Sequence, residues 1–181
     1  MKMTITEALA DIKTSQARIL KKRQAVKTYL FRDSRLRDPM ESEGGQKEFV
    51  RRERQAIYDL EEKIVKIRAA IQKANLNLEV EVDGRKRTLA EWLNWRREIS
   101  ANQKQFLSEM TATLASARQQ AIQRGQQVRD SDTSKTDMAV GELIVTISER
   151  ELAESVEEME NVLGQLDGKL SLLNATTTIE I

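Results

Sequence analysis

Four stretches of heptad patterning, three helix-capping signatures and a highly charged, aromatic-poor composition predict a mainly α protein: four long amphipathic, coiled-coil-like helices with a small β element. Charged residues make up 33% of the 181 and aromatics 4%, with a single proline. That balance suits long helices sharing a seam and excludes a core built on aromatic rings.

The first helix starts at Thr4-Ile5-Thr6-Glu7, where the Thr4 hydroxyl can accept from the Glu7 amide and the Glu7 carboxylate can accept from the Thr4 amide. Ile5, Ile12, Ile19 and Val26 recur every seven residues, and Leu9, Gln16, Arg23 and Leu30 fill the second register, so the seam is half polar. Gln16 and Arg23 at core positions either fix register and oligomeric state or face solvent at an open seam. From Arg32 to Gly45 the pattern stops. Asp38-Pro39 disfavours helix before the proline and Gly44-Gly45 permits any backbone angle, which predicts a turn between antiparallel helices and a helical hairpin over 4–74.

In the second helix Val50, Ile57, Ile64 and Ile71 hold one register and Leu60, Ile67 and Ala74 the other. The period then changes from seven to two. Leu76, Leu78, Val80 and Val82 alternate with polar residues up to Asp83-Gly84, predicting a half-buried strand near 76–82 and a β-turn within 76–88, with Arg85-Lys86-Arg87 as a return strand or connector. Thr88-Leu89-Ala90-Glu91 is a second capping box and opens a helix over 89–124. Its stripe is Trp92, Ile99 and Phe106, then Met110, Leu114, Ala117 and Ala121.

Residues 125–141 are rich in Gln, Asp, Ser, Thr and Gly, have no helical period, and read as a loop or arm. A strand near 142–147 leads through Ser148-Glu149-Arg150-Glu151, the third capping box, into the fourth long helix. There Leu152, Val156, Met159, Leu163, Leu166, Leu170 and Leu173 alternate four and three apart, a face that must be buried against another helix and that is expected to be the oligomer interface. The tail, 176–181, favours strand and is expected to close a small sheet with Leu76–Val82 or Leu143–Ile147 at one end of a helical stalk. The whole chain, 1–181, is expected to be a single helical domain.

The composition narrows the chemistry. Histidine and cysteine are absent, removing the commonest general base, thiolate nucleophiles, disulfides and the sulfur and imidazole metal ligands. No phosphate loop or nucleophile elbow occurs, so the expectation is a protein that is not an enzyme, with no catalytic, cofactor or metal residues. Lys and Arg number 30 against 29 Asp and Glu, so no overall field steers the chain to nucleic acid. No run approaches the 18 apolar residues of a membrane span, and Met1–Thr6 carries no signal-peptide core, which points to synthesis in the cytoplasm.

Several features admit a sharper reading beside a structural one. Trp92 and Trp95 with Arg85, Lys86, Arg87, Arg96 and Arg97 have the residue types of a base-stacking platform with phosphate contacts, but Trp92 shares the heptad face with Ile99 and reads as core. Arg23, Arg51, Arg52 and Arg54 would form a polyanion-binding stripe if helices one and two lie antiparallel; the interleaved glutamates favour salt-bridge networks instead. Gly164 and Gly168 form Gly-x-x-x-Gly, read either as close helix approach or as mere tolerance. The carboxylate pairs Glu79/Glu81 and Glu157/Glu158 lie on expected solvated faces.

Glu7-Ala8-Leu9, Ala74-Asn75, Asp83-Gly84 before Thr88-Leu89-Ala90-Glu91, Arg96-Arg97 and the ending Leu173-Asn174-Ala175-Thr176-Thr177 are scattered along nearly the whole chain. In their order the chain resembles the septicolysin-like family, small helical proteins of bacteria and phages. It departs from that pattern at Ala175, where an aromatic is expected. The family label implies pore formation, but the chain lacks the long apolar or alternating segment that membrane insertion needs.

These readings combine into one expectation: a non-catalytic structural protein, a self-associating phage virion component such as a capsid, neck or tail accessory or decoration protein, with copies of itself and other structural proteins as partners. The alternatives are a nucleic-acid-binding accessory protein and a membrane-active, toxin-like protein.

Overall fold

A computed structural model describes residues 2–130 and 141–181. The mainly α class holds. Helix α1 (Ile5–Thr28), α2 (Gln46–Asn77), the run α3 (Leu89–Asn94), π-helical turn (Trp95–Ser100) and α4 (Ala101–Gln123), and α5 (Glu149–Thr176) make four long helical rods. All three capping boxes form. Thr4, Thr88 and Ser148 each accept from the amide three residues on, 3.2 Å in every case, and Glu7, Glu91 and Glu151 reach back to the cap amides at 2.8, 2.8 and 2.7 Å.

The residues group into two compact units, Met1–Leu78 with Leu170–Ile181, and Glu79–Lys169, where the sequence pattern suggested one helical body. The chain passes between them after α2 and again within α5.

In the first unit α1 and α2 form the expected antiparallel hairpin, closed by a 3-10 turn (Glu41–Glu43) and by Gly44 and Gly45, both at φ 90°. Asp38 organises that turn by accepting from the amides of Met40 (2.8 Å) and Gln46 (2.9 Å), and these bonds hold its carboxyl below the ordinary range. The α2 stripe packs as patterned: Ile67 is fully buried with Ile64, Ile71 and Ala74 around it, against Ile5, Ala8 and Ile12. The second register of α1 does not. Ala8 and Ser15 face inward, while Leu9, Gln16, Arg23 and Leu30 are exposed. The buried line follows the three-four alternation that starts at Ile5 and continues through Ala8, Ile12, Ser15 and Ile19, one position short of the register read from Leu9.

The tail folds as a strand with a partner the sequence did not suggest. Strand β6 (Thr178–Glu180) pairs antiparallel with β1 (Lys2–Thr4), Met3 opposite Ile179, and the Ile5 amide donates to the Thr177 carbonyl at 3.0 Å. Both Met3 and Ile179 are buried in the α1–α2 core, and that burial selects the pairing over Leu76–Val82 or Leu143–Ile147.

In the second unit β2 (Glu79–Val82) and β3 (Arg85–Thr88) form a hairpin through Asp83 and Gly84, both at positive φ, so Arg85-Lys86-Arg87 is a strand. Leu76 belongs to α2 and is exposed. Strands β4 (Val128–Asp130) and β5 (Leu143–Val145) pair in parallel. The structure thus has three separate two-stranded sheets among the described residues, not one terminal sheet. The segment read as a loop over 125–141 contains β4; its positions 131–140 lie outside the described residues.

The π turn changes the face of α4. From Trp92 a strict seven-residue step predicts Ile99 and Phe106 inward, yet both are exposed, and the inward positions are Ser100, Leu107, Leu114 and Ala121. A π turn takes one extra residue per turn, which advances the register by one from Ser100 onward.

Candidate interaction surfaces

The α5 seam is used within the chain. Leu152, Met159, Leu166 and Leu170 are buried, and Val156, Leu163 and Leu173 are half-buried. Inside the second unit α5 runs antiparallel to the α3–α4 rod, tied by Arg96–Asp167 (2.9 Å), Lys104–Glu160 (3.5 Å) and Arg118–Glu149 (3.3 Å). The buried part of the face expected to carry self-association is therefore already covered. Gly164 and Gly168 have open space where a Cβ would stand, so they mark tolerance and not close helix approach.

Several of the basic residues of α1 and α2 are paired in place. Arg23 pairs with Glu61 (2.6 Å), Arg51 with Glu48 (2.7 Å), Arg52 with Glu43, and the neighbouring Lys22 with Glu53 (2.9 Å). Arg54 has no carboxylate partner among the described residues, and neither does Lys47. Of the four arginines of the expected polyanion stripe, three are thus engaged by glutamates and Arg54 is not.

Trp92 is core. Its Nε1 donates 3.0 Å to the Val80 carbonyl, Trp95 packs edge-on at 5.6 Å between ring centres, and the Arg87 guanidinium lies 5.0 Å over the Trp92 ring. Trp95 is half-buried beside a cleft of about 300 Å³ that also takes in Gln103, Ser155 and Glu158.

Two surfaces escaped the heptad reading. At the hairpin tip Leu30, Phe31 and Leu36 are exposed, Phe31 to 81%. Leu30 and Phe31 also line a cleft with Arg32, Lys47, Arg51, Arg54 and Asp38. In the second unit an open groove of about 460 Å³ is lined by Phe106, Met110, Leu114, Ile144, Ile147 and Leu152, and among the described residues its only charged lining residue is Glu109. The signal for the first was present as Leu30-Phe31 beyond the helix end. The second depended on the π turn, which turns Phe106 outward.

Charge is divided between the units. The first holds 18 Lys and Arg against 12 Asp and Glu, net +6; the second holds 12 against 17, net −5. Shifted carboxylates are capping and ion-paired groups: Glu7, Glu91 and Glu151 are lowered by the cap amides they accept from, and Glu48 by Arg51. Among the described residues no three of His, Cys, Asp or Glu gather as metal ligands, and no helix is long and apolar enough to cross a membrane. No family model, curated protein or solved structure matches the chain.

Proposed function

We propose that the protein is a non-catalytic structural and interaction protein that assembles with copies of itself. The observation that carries this reading is the pair of apolar surfaces exposed among the described residues, Leu30, Phe31 and Leu36 on one unit and Phe106, Ile144 and Ile147 on the other. Placement in a phage particle, as a capsid, neck or tail accessory protein, rests on the septicolysin-like resemblance alone.

Absolute mass by light scattering tests the assembly: mass should rise with concentration toward a defined multiple of 20.7 kDa. A clean monomer at the highest soluble concentration ends this reading. Immunogold labelling of purified particles tests the virion placement, and unlabelled particles remove it.

A second reading, nucleic-acid binding at the hairpin tip, is favoured by the +6 balance of the first unit and by Lys47 and Arg54. It predicts retardation of DNA or RNA that weakens steeply with salt, and free probe at low salt dismisses it.

A further inference from the structure

We infer that the contact between copies is head to tail: the hairpin tip of one chain seats in the α4–β5 groove of the next. The inference rests on the self-association proposed above and names its two surfaces.

The tip is a knob. Leu30, Phe31 and Leu36 stand out from the turn, and Phe31, with 81% of its surface in water, touches little of its own unit. Arg32, Lys47, Arg51 and Arg54 line the adjoining cleft together with Asp38, and Arg51 is already paired with Glu48. The groove is apolar like the tip and opposite to it in charge. Phe106 and Ile144 are exposed, to 61% and 53%, on walls whose floor includes Met110, Leu114 and Val145, and the space between, about 460 Å³, is large enough for more than one apolar side chain. Glu109 is the groove's charged lining residue among the described residues, and the neighbouring cleft that shares Phe106 is lined by Asp83 and Glu158 together with Arg85. A ring seated in such a groove buries roughly 150–250 Å². The opposite net charges of the units, +6 and −5, favour contact between unlike units of two copies and disfavour contact between like ones.

Two different patches joined in this way make a heterologous contact, which either closes into a ring or continues as a fibre. A contact that set tip against tip would face two clefts in which Arg32, Lys47, Arg51 and Arg54 outnumber Asp38, and like charge disfavours it. A second copy is therefore the occupant whose surface fits.

The test uses complementary variants of the full chain. Phe31→Asp keeps the groove and spoils the knob; Ile144→Asp keeps the knob and spoils the groove. Both positions are exposed, and unchanged helical circular dichroism and melting confirm that each variant folds; Leu36→Asp and Ile147→Asp repeat the pair at neighbouring sites. Wild type is expected to associate, each variant alone to sediment as a monomer, and their equimolar mixture to stop at a dimer, joined by the one intact knob and one intact groove. Variants that keep the wild-type mass overturn the inference while leaving self-association standing. Monomeric variants whose mixture also stays monomeric show that the two surfaces do not meet, which overturns it as well. A monomeric wild type removes both the inference and the reading beneath it. A monomeric wild type that binds DNA through Phe31 and Arg54 assigns the tip to polyanions instead.

Discussion

The indole Nε1 of Trp92 donates a buried 3.0 Å hydrogen bond to the carbonyl of Val80, joining the α3 helix to the β2–β3 hairpin twelve residues earlier. Val80 is itself paired with Arg87, whose guanidinium lies over the same ring. Trp92→Phe keeps most of the apolar area and removes the donor. A buried hydrogen bond lost in this way costs about 1–3 kcal/mol, so the urea midpoint should fall with an unchanged m-value. An unaltered midpoint would show that area alone holds hairpin to helix.

Leu166 and Gly164 lie two residues apart on α5 and should respond in opposite directions. Leu166 is fully buried, and Leu166→Ala should destabilise by about 2–5 kcal/mol. Gly164 is helical with open space around its Cα, so Gly164→Ala should stabilise by about 0.5–1 kcal/mol. Neither should alter the mass of the assembly. A mass lowered by Leu166→Ala without unfolding would return the α5 seam to the interface.

The π turn at Trp95–Ser100 contains one residue more than an α-helical path needs. Deleting Arg97, which is exposed, should relax the turn to α while Ser100, Leu107 and Leu114 keep their facing. Deleting Gln105 in the regular part of α4 puts Leu107 and Leu114 out of phase with Ser100. Thermal melting should therefore fall much less for the first deletion than for the second; equal losses would mean the turn is not what sets the register.

The three capping carboxyls predict an acid limb. Glu7, Glu91 and Glu151 are each held below the ordinary 4.5 in the folded chain by the Thr or Ser cap they bond. A depressed folded pKa adds stability that is complete above pH 4.5 and is lost as pH falls through the lowered value. Melting temperature should decline below about pH 4.5, and the triple variant Glu7→Gln, Glu91→Gln, Glu151→Gln should show a flatter decline. An equally steep acid limb in that variant would place the titration elsewhere.

Lys22 and Glu53 pair at 2.9 Å with less than a third of either side chain exposed, the most sheltered ion pair between α1 and α2. A double-mutant cycle with Lys22→Met and Glu53→Gln should give a coupling of about 0.5–1 kcal/mol at low salt, reduced in 1 M NaCl. Exposed Arg23–Glu61 should couple less strongly. Equal couplings would mean that shelter from water adds nothing here.

Much of the secondary structure was legible in the residues because its signals are local. A Thr-x-x-Glu or Ser-x-x-Glu start needs only the geometry of one turn, and all three starts formed where they were written. The α2 stripe from Val50 to Ala74 and the α5 stripe from Leu152 to Leu173 were readable because seven-residue spacing keeps one side of a helix apolar whatever it meets. The α1 register was misread because Leu9 and Leu30 are apolar and Ser15 is not, although position, not polarity, places Ser15 inward. The candidate site was less legible: Arg51, Arg52 and Arg54 were named, but Phe31 and the groove around Phe106 were not.

By itself the sequence determined the helical class, the capped starts, the hairpin turn around Pro39 and the absence of histidine and cysteine chemistry. Only the tertiary structure decided which surface each pattern would meet: that the tail joins Lys2–Thr4, that the α5 seam is largely covered inside the chain, and that a single extra residue in the π turn exposes Ile99 and Phe106. Periodicity fixes which side of an element is apolar. It carries no record of the partner, because burial energy depends on area and not on which residues supply it.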